Sequence, residues 1–243
     1  MVYEGEKMNT IQNKEGYWKR AGRLFRPRKI GEARITIETE AKHPVESPDY
    51  TDPAGCVNDN NSNKKFFKEL RRYHRKRLYS LLDLGCAGGQ FVVDHHTRGH
   101  VAVGLEGGNE EVMLHEAAGK HNWQAYKNIC LFHADISKPF RILNEGSPME
   151  FDVISAWDVL EHPTPEEIPA VIDNVRKHLK KDGIFVGTIN PSEGEKHRCA
   201  KDKDWWDRMF ESKGFEVRQY PFSCSARRDL NSVDYAAMFV IKG

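Results

Sequence analysis

Five consecutive residues, Asp158-Val159-Leu160-Glu161-His162, bring two carboxylates and an imidazole together, and a second imidazole, His197, follows in the stretch Pro191 to Lys203. If a helical turn opens at Asp158, the side chains of Asp158, Glu161 and His162 stand at i, i+3 and i+4 and project to one side. Such a group can do two kinds of work. An imidazole can take the proton of a hydroxyl, which is far too weak an acid to ionise near neutrality. Carboxylates and imidazoles can instead hold a divalent ion such as Mg or Mn, which lowers the pKa of that hydroxyl. His162, His197 and Asp158 are thus the catalytic candidates, and Asp158, Glu161, His162 and His197 the candidate metal ligands. A third reading leaves them structural, fixing the start of a helix.

A second constellation suits binding. The run Leu81-Leu82-Asp83-Leu84-Gly85-Cys86-Ala87-Gly88-Gly89 carries an apolar strand into a turn too rich in glycine for bulky side chains. The backbone there can bend and approach a ligand closely before the next helix begins. Twenty-one residues past Gly85, the apolar run Val101-Ala102-Val103-Gly104-Leu105 ends at Glu106-Gly107-Gly108, where a carboxylate suits a ribose. This β-loop-α-β-acid unit is the arrangement that holds a nucleoside at the carboxyl edge of a parallel sheet. The spacing G-x-x-G-G, with Ala87 inside it, fits a dinucleotide loop of the form G-x-G-x-x-G poorly. The plain alternative is a tight strand-to-helix turn.

At these residues the chain resembles the class I S-adenosylmethionine (SAM) dependent methyltransferases, whose first motif reads D-x-G-x-x-G-G. The resemblance runs from about Asn58 to the C-terminus. It implies that Asp83 and the turn Gly85, Cys86, Ala87 and Gly88 hold the methionine portion of the cofactor, with Glu106 and Gly107 at the ribose. In Leu131-Phe132-His133-Ala134-Asp135-Ile136 it implies that Asp135 bonds the adenine amino group and Ile136 covers its face. Ala156 and Trp157, ending Phe151 to Trp157, fall beside the methionine end. The acid-x-x-Glu-His run with a later histidine is similar to the metal site of the small-RNA 2'-O-methyltransferases and, less closely, to ubiquinone-pathway O-methyltransferases. Asp158 stands where the first Glu is more usual. Residues 43–63, dense in Pro, Asp, Asn and Gly, resemble a stretch before the first motif in bacterial methyltransferases of surface-polysaccharide gene clusters. There the D-P-x-G and D-N pairs imply that Asp59 and Asn60 lie near the active-site mouth, while the residues alone read equally as an Asx turn and helix N-cap before Lys64.

The elements that must position these groups alternate regularly. Ile168, Val171, Ile172, Val175 and Leu179 recur at helical spacing, and Lys180-Lys181-Asp182-Gly183 stops that helix before the apolar run Ile184 to Ile189. Trp206, Met209 and Phe210 form a second helical stripe, with Trp205 either packed in the core or turned to the cleft to stack on a sugar or base. Gly214 to Val217 leads into another strand. The expected architecture is a Rossmann-like α/β fold: a seven-stranded, mostly parallel sheet with helices on both faces and an N-terminal extension. The resemblance makes the last strand, Tyr235 to Ile241, antiparallel. Residues 1–57 read as an N-terminal arm and loop, a candidate substrate lid, in which the alternating stretch Ala33 to Thr39 reads as a small strand or an arm over the substrate, or equally as partial disorder, and residues 58–243 read as the methyltransferase domain.

The 243 residues allow one sizeable core, and five cysteines without a C-x-x-C pair read as reduced thiols. No window is apolar enough for a membrane span, and no secretion signal opens the chain, so a cytoplasmic protein is expected. The net charge of +1 conceals local bias: Lys64 to Arg77 holds eight Lys or Arg against one Glu, and Lys14 to Lys29 is basic and interleaved with Tyr17, Trp18 and Phe25. The helical spacing of Phe66, Phe67, Leu70 and Leu78 reads as one packed face with solvated cations, or as a grip on phosphates or an acidic glycan. Three functions follow. A SAM-dependent O-methyltransferase acting on a sugar hydroxyl of a surface glycan or its precursor leads, which places the chain in polysaccharide biosynthesis with a glycan or small-molecule acceptor. An RNA ribose 2'-O-methyltransferase using the basic runs, and a SAM-binding protein without turnover, are the alternatives.

Overall fold

The computed structural model describes residues 34–52, 59–75, 78–111, 122–223 and 235–242. The basic run Lys14 to Lys29, Pro53 to Gly55 of the D-P-x-G stretch, Cys56 and Cys224 lie outside them. In chain order the elements are β1 (Ile35–Thr39), α1 (Pro48–Thr51), α2 (Lys64–Tyr73), β2 (Ser80–Leu84), α3 (Gln90–His96), β3 (Val101–Glu106), α4 (Trp123–Tyr126) and β4 (Leu131–His133). There follow β5 (Phe140–Asn144), β6 (Ser147–Pro148), β7 (Phe151–Trp157), α5 (Ile168–His178), β8 (Leu179–Ile189), α6 (Lys203–Ser212), β9 (Phe215–Gln219) and β10 (Tyr235–Ile241).

Seven strands form one sheet in the order β4-β3-β2-β7-β8-β10-β9. The pairs β3 with β4, β2 with β3, β2 with β7 and β7 with β8 are parallel, and β10 runs antiparallel to both β8 and β9. The expected Rossmann-like sheet is therefore the observed one. Alternate residues of its strands feed opposite faces. Leu82, Leu84, Val103, Leu105 and Ile154 pack with Ile168, Val171 and Val175 of α5 and Trp206 and Phe210 of α6. Leu81, Ala102, Val153, Ile184 and Val186 pack with Phe66 and Leu70 of α2 and Phe91 and Val92 of α3. Strands covered on both faces carry the continuous apolar runs seen in the sequence. Trp205 packs partly buried against the first cluster and in edge contact with Trp206.

Two local features differ from expectation. Lys180 to Gly183 does not separate helix from strand as a loop: β8 begins at Leu179, and these residues form an irregularity between the Phe151–Leu179 and Val153–Ile184 pairs. A small second sheet, β1-β5-β6, was not anticipated beyond its first strand. β5 and β6 close through Glu145 (φ 51°) and Gly146 (φ 81°), a two-residue turn with both central residues left-handed. β1 pairs antiparallel with β5 from Ile35–Asn144 to Thr39–Phe140, which anchors the segment running on toward α1. Among the described residues, no helix is long and apolar enough to cross a membrane.

Candidate active site

The glycine turn follows β2 at the carboxyl edge of the sheet. Gly85 has φ +65°, and a Cβ there would lie 2.4 Å from a Val159 methyl, so glycine is needed both for conformation and for space. Ala87 is also left-handed, at φ 48°. Two partners hold it there, Glu106 and Trp123. The Ala87 N–H donates to Glu106 Oε2 at 2.7 Å, Glu106 Oε1 accepts from Gly108 N at 3.0 Å, and the Trp123 indole N–H donates to the Ala87 carbonyl at 2.7 Å. Asn60 closes the turn from outside: its Oδ1 accepts from Gln90 N at 2.9 Å, capping α3, whose N-cap is Gly89. A Cβ on Gly88 would meet that Asn60 side chain at 2.6 Å. The N-cap of α2 is Asn63, while Asp59 Oδ1 accepts from Asn61 N in an Asx turn. Asp59 and Asn60 thus sit against the glycine turn, Asp59 through its carbonyl, which accepts from Gly88 N at 2.8 Å.

A cavity of about 450 Å³ opens at this edge. Gly85, Ala87, Glu106, Gly107, Asp135 and Ile136 line one end, and Trp157, Asp158, Glu161, His162 and His197 also border it. Four expected cofactor residues do not reach it. Asp83 is fully buried, with Oδ1 accepting the Ser155 hydroxyl at 2.7 Å; Cys86 and Ala156 point into the core, and Gly88 faces Asn60. Asp135 is held by Ser137, whose N–H and hydroxyl donate to its Oδ1 at 2.9 and 2.7 Å.

At the other end the five-residue run is not a helical turn. Asp158 adopts φ 53°, and α5 begins only at Ile168. Its backbone N–H donates to the Thr188 carbonyl at 3.0 Å and its Oδ1 accepts the Thr188 hydroxyl at 2.8 Å. These bonds tie Asp158 to β8, and the closely spaced group is formed by Glu161, His162 and His197, which each offer one ligand-type atom within 4.8 Å of the others.

That group is unusual in its burial and charge. Glu161 is completely buried, Oε1 accepting from Asn190 N at 3.2 Å and Oε2 having no hydrogen-bond partner. Burial pushes its carboxyl up to about 7, with the Asp158 charge adding to the effect against opposing contributions from backbone N–H groups and His162. His162 Nδ1 lies 2.6 Å from Asp49 Oδ2. Burial opposes a charged imidazole here, but the Asp49 hydrogen bond and the carboxylates of Asp49, Glu161 and Glu106 outweigh it and raise the His162 pKa above its ordinary value. His197 Nδ1 lies 2.8 Å from the Ser192 carbonyl, and the two imidazoles meet edge to face at 5.3 Å. A carboxylate and a carbonyl can only accept, so each Nδ1 carries a proton and each neutral ring keeps its lone pair on Nε2.

The comparisons with known proteins bear on the fold and the family. The pattern of a family described as a methyltransferase domain matches residues 58–220. The chain belongs to that methyltransferase family. A curated relative, the ubiquinone biosynthesis O-methyltransferase of Serratia proteamaculans (strain 568), is 28% identical over 138 residues, 51% of this chain. The chain's match spans about half of that relative, 53% of its length. Among solved structures, a SAM-dependent methyltransferase from Clostridium acetobutylicum ATCC 824 superposes with a TM-score of 0.53 at 17% identity, covering 76% of this chain and 94% of its own. Magnesium protoporphyrin IX methyltransferase from Synechocystis PCC 6803, solved with bound SAH, gives 0.53 at 17% identity over 80% and 97%. At such identities these structures share the methyltransferase fold with the chain.

Sequence reasoning missed several members of the site. Asp49 lies 113 residues from His162, and nothing local to either marks the pair. Trp123 stands outside any motif, yet pins Ala87 and stacks on His133 at 4.3 Å. Lys196 and Arg198 flank His197 in sequence and line the same cavity, a signal that the basic neighbours of a candidate histidine could have supplied.

Proposed function

We propose that the protein is a SAM-dependent O-methyltransferase whose acceptor is a sugar hydroxyl of a surface glycan or its precursor, modified in the cytoplasm. The observation that carries this reading is a single cavity joining Glu106 and Asp135 to the Glu161, His162 and His197 group. Its donor set fits the cofactor. Carboxylates accept from ribose hydroxyls and from an adenine amino group, and the lining counts seven carboxylates against Lys196 and Arg198, a balance suited to a sulfonium and an ammonium. The volume lies within the roughly 300–1,000 Å³ of small-molecule sites.

Bound SAM supplies a methyl group already activated on a positive sulfur, so the chain's own task is to align the acceptor and remove its proton. In this reading Glu106 and Gly107 hold the ribose, Asp135 and Ile136 the adenine, and the turn at Gly85 and Ala87 with Trp157 the methionine end. His162 Nε2 receives the hydroxyl proton, and the imidazolium that results is stabilised by the carboxylates facing it. His197 orients the acceptor oxygen. The likeness to an O-methyltransferase supports a hydroxyl acceptor. Polar side chains around the acceptor end, Asp49, Glu167, Lys196 and His197 among them, supply hydrogen bonds for a polyol. The same carboxylates repel phosphodiesters, and no residue of the basic helix α2 lines the cavity, which disfavours an RNA strand there.

A divalent ion, Mg or Mn, is a second reading of the same three residues. Both histidines commit Nδ1 to an oxygen and leave Nε2 free to ligate, as metal-binding histidines do, and the Glu161 Oε2 without a partner supplies a third donor. An ion held there would lower the pKa of the acceptor hydroxyl. Incubating purified protein with methyl-labelled SAM and separate glycan-precursor, RNA and small-molecule fractions tests the function. Label in neutral sugar supports it, label in RNA overturns the acceptor, and no label in any fraction overturns the enzyme. Full turnover in excess chelator removes the ion.

A further inference from the structure

The segment between β1 and α1 precedes the region matched by the methyltransferase family, yet it is tied to the catalytic edge at successive points. Asp135 N donates to the Ala41 carbonyl at 2.9 Å, His43 Nδ1 lies 3.0 Å from the Gly107 carbonyl, and Pro44 sits against Gly107. From there the chain turns through Ser47, buried and serving as N-cap of α1, and delivers Asp49 to the cavity wall. One Asp49 oxygen meets His162 at 2.6 Å; the other lies 3.9 Å from Lys196, which also binds Asp52 at 2.7 Å. Lys196 belongs to the loop that carries His197, and the Arg198 guanidinium of that loop donates to the His162 carbonyl at 2.8 Å.

We propose that Asp49 is the positioning residue of His162, so that a strap from outside the methyltransferase domain completes the group that activates the acceptor. The groups facing His162 are Asp49 from the strap, Glu161 beside it, Glu106 from the end of β3, and Lys196, His197 and Arg198 from the loop after β8. Only Asp49 has a carboxylate on Nδ1. Because a carboxylate accepts and cannot donate, it fixes the tautomer with the proton on Nδ1 and turns Nε2 to the cavity. The same contact holds the ring whether Nε2 takes a proton or a cation, and the geometry is that of carboxylate–histidine pairs in which the outer partner sets the orientation of the inner one. The strap also carries Tyr50 and Pro44 into the cavity wall, so the residue that orients the ring belongs to a segment that shapes the acceptor space.

The role of this pair in turnover rests on the O-methyltransferase reading; its geometry does not. The test therefore uses the full chain with two readouts. Long-range ring-nitrogen NMR of His162 reports the tautomer without any acceptor, and steady-state kinetics report turnover. Asp49→Asn is expected to lose the fixed Nδ1–H form, to lower kcat about 10- to 100-fold, as loss of an outer partner does, and to leave SAM affinity unchanged. Asp49→Glu, which keeps a carboxylate that accepts and cannot donate, is expected to recover part of both. Ring-nitrogen shifts in Asp49→Asn identical to the unsubstituted protein overturn the proposal whatever the activity. Normal tautomer control in a protein that methylates no hydroxyl overturns the functional reading and leaves the positioning contact standing.

Discussion

The two ends of the cavity are built on opposite principles. At the Glu106 end the carboxylates are held by backbone or hydroxyl donors: Ala87 and Gly108 serve the two Glu106 oxygens, and the Ser137 N–H and hydroxyl serve Asp135 Oδ1. At the Glu161 end a carboxylate oxygen is buried with no partner, and its neighbour His162 is drawn toward its charged form. Satisfied groups fix a shape, whereas unsatisfied ones store the capacity to bind a proton, a cation or a substrate. Under the proposed function the difference marks where binding stops and chemistry starts, and substitutions at each end should fail in different ways.

The sharpest break is expected at His162. Replacing it by Ala removes the Nε2 lone pair, and kcat should fall by about 10²- to 10⁴-fold, the usual contribution of a general base, with SAM affinity held. Glu106→Ala comes next and should fail in the other direction. Losing charge-assisted hydrogen bonds worth about 1.5–3 kcal/mol weakens SAM binding roughly 10- to 100-fold, and kcat at saturation should change less. Calorimetric SAM titration alongside steady-state kinetics separates the two; equal losses of affinity in both variants would erase the division between the ends.

This division also marks what the sequence could tell. The Glu106 end is made of neighbours: an apolar strand, a glycine turn and an acid at the end of the next strand. Continuous apolar runs and glycine-rich turns are written locally, so β2, β3 and β7 were legible, although Asp83, Cys86, Gly88 and Ala156 at their ends do not reach the cavity. The Glu161 end draws on three distant segments, residues 47–52, 158–163 and 190–199. Its residue types were visible as the Glu-His run, but its geometry was not. A left-handed Asp158 broke the helical spacing on which the four-ligand set depended. No periodicity could announce that Asp49 would cross to His162, since that contact depends on β1 pairing with β5 in a sheet whose short strands carry weak patterns.

A smaller effect turns the comparison into a stability measurement. Glu161 has a folded pKa of about 7 against an ordinary 4.5, so the folded state binds its proton more tightly than the unfolded one. Stability from this group is fully present below about pH 4.5 and is lost as pH rises through about 7. Glu161→Gln removes the buried charge and should be more stable than the unsubstituted chain at pH 8 in chelator, by about 1–3 kcal/mol, while losing turnover. The advantage should shrink as the pH is lowered to 5. A variant less stable at pH 8 would mean the carboxylate is already satisfied.

The smallest expected effect tests the opposite end. Asn60 caps α3 through Gln90 N and packs on Gly88, so Asn60→Ala should cost about 0.5–2 kcal/mol at every pH. In a domain of this size that lowers Tm by roughly 2–4 °C per kcal/mol. Asn60→Asp keeps an acceptor and adds a negative charge at a helix N-terminus, so its Tm should match or exceed that of the unsubstituted chain. The contrast with Glu161 lies in the sign and in the pH profile: truncation at a satisfied site destabilises uniformly, and neutralisation at an unsatisfied one stabilises only where the charge would exist. Thermal melts of Asn60→Ala and Glu161→Gln at pH 5 and pH 8 give four values, and a common sign at pH 8 would show that both ends are held by the same kind of bond.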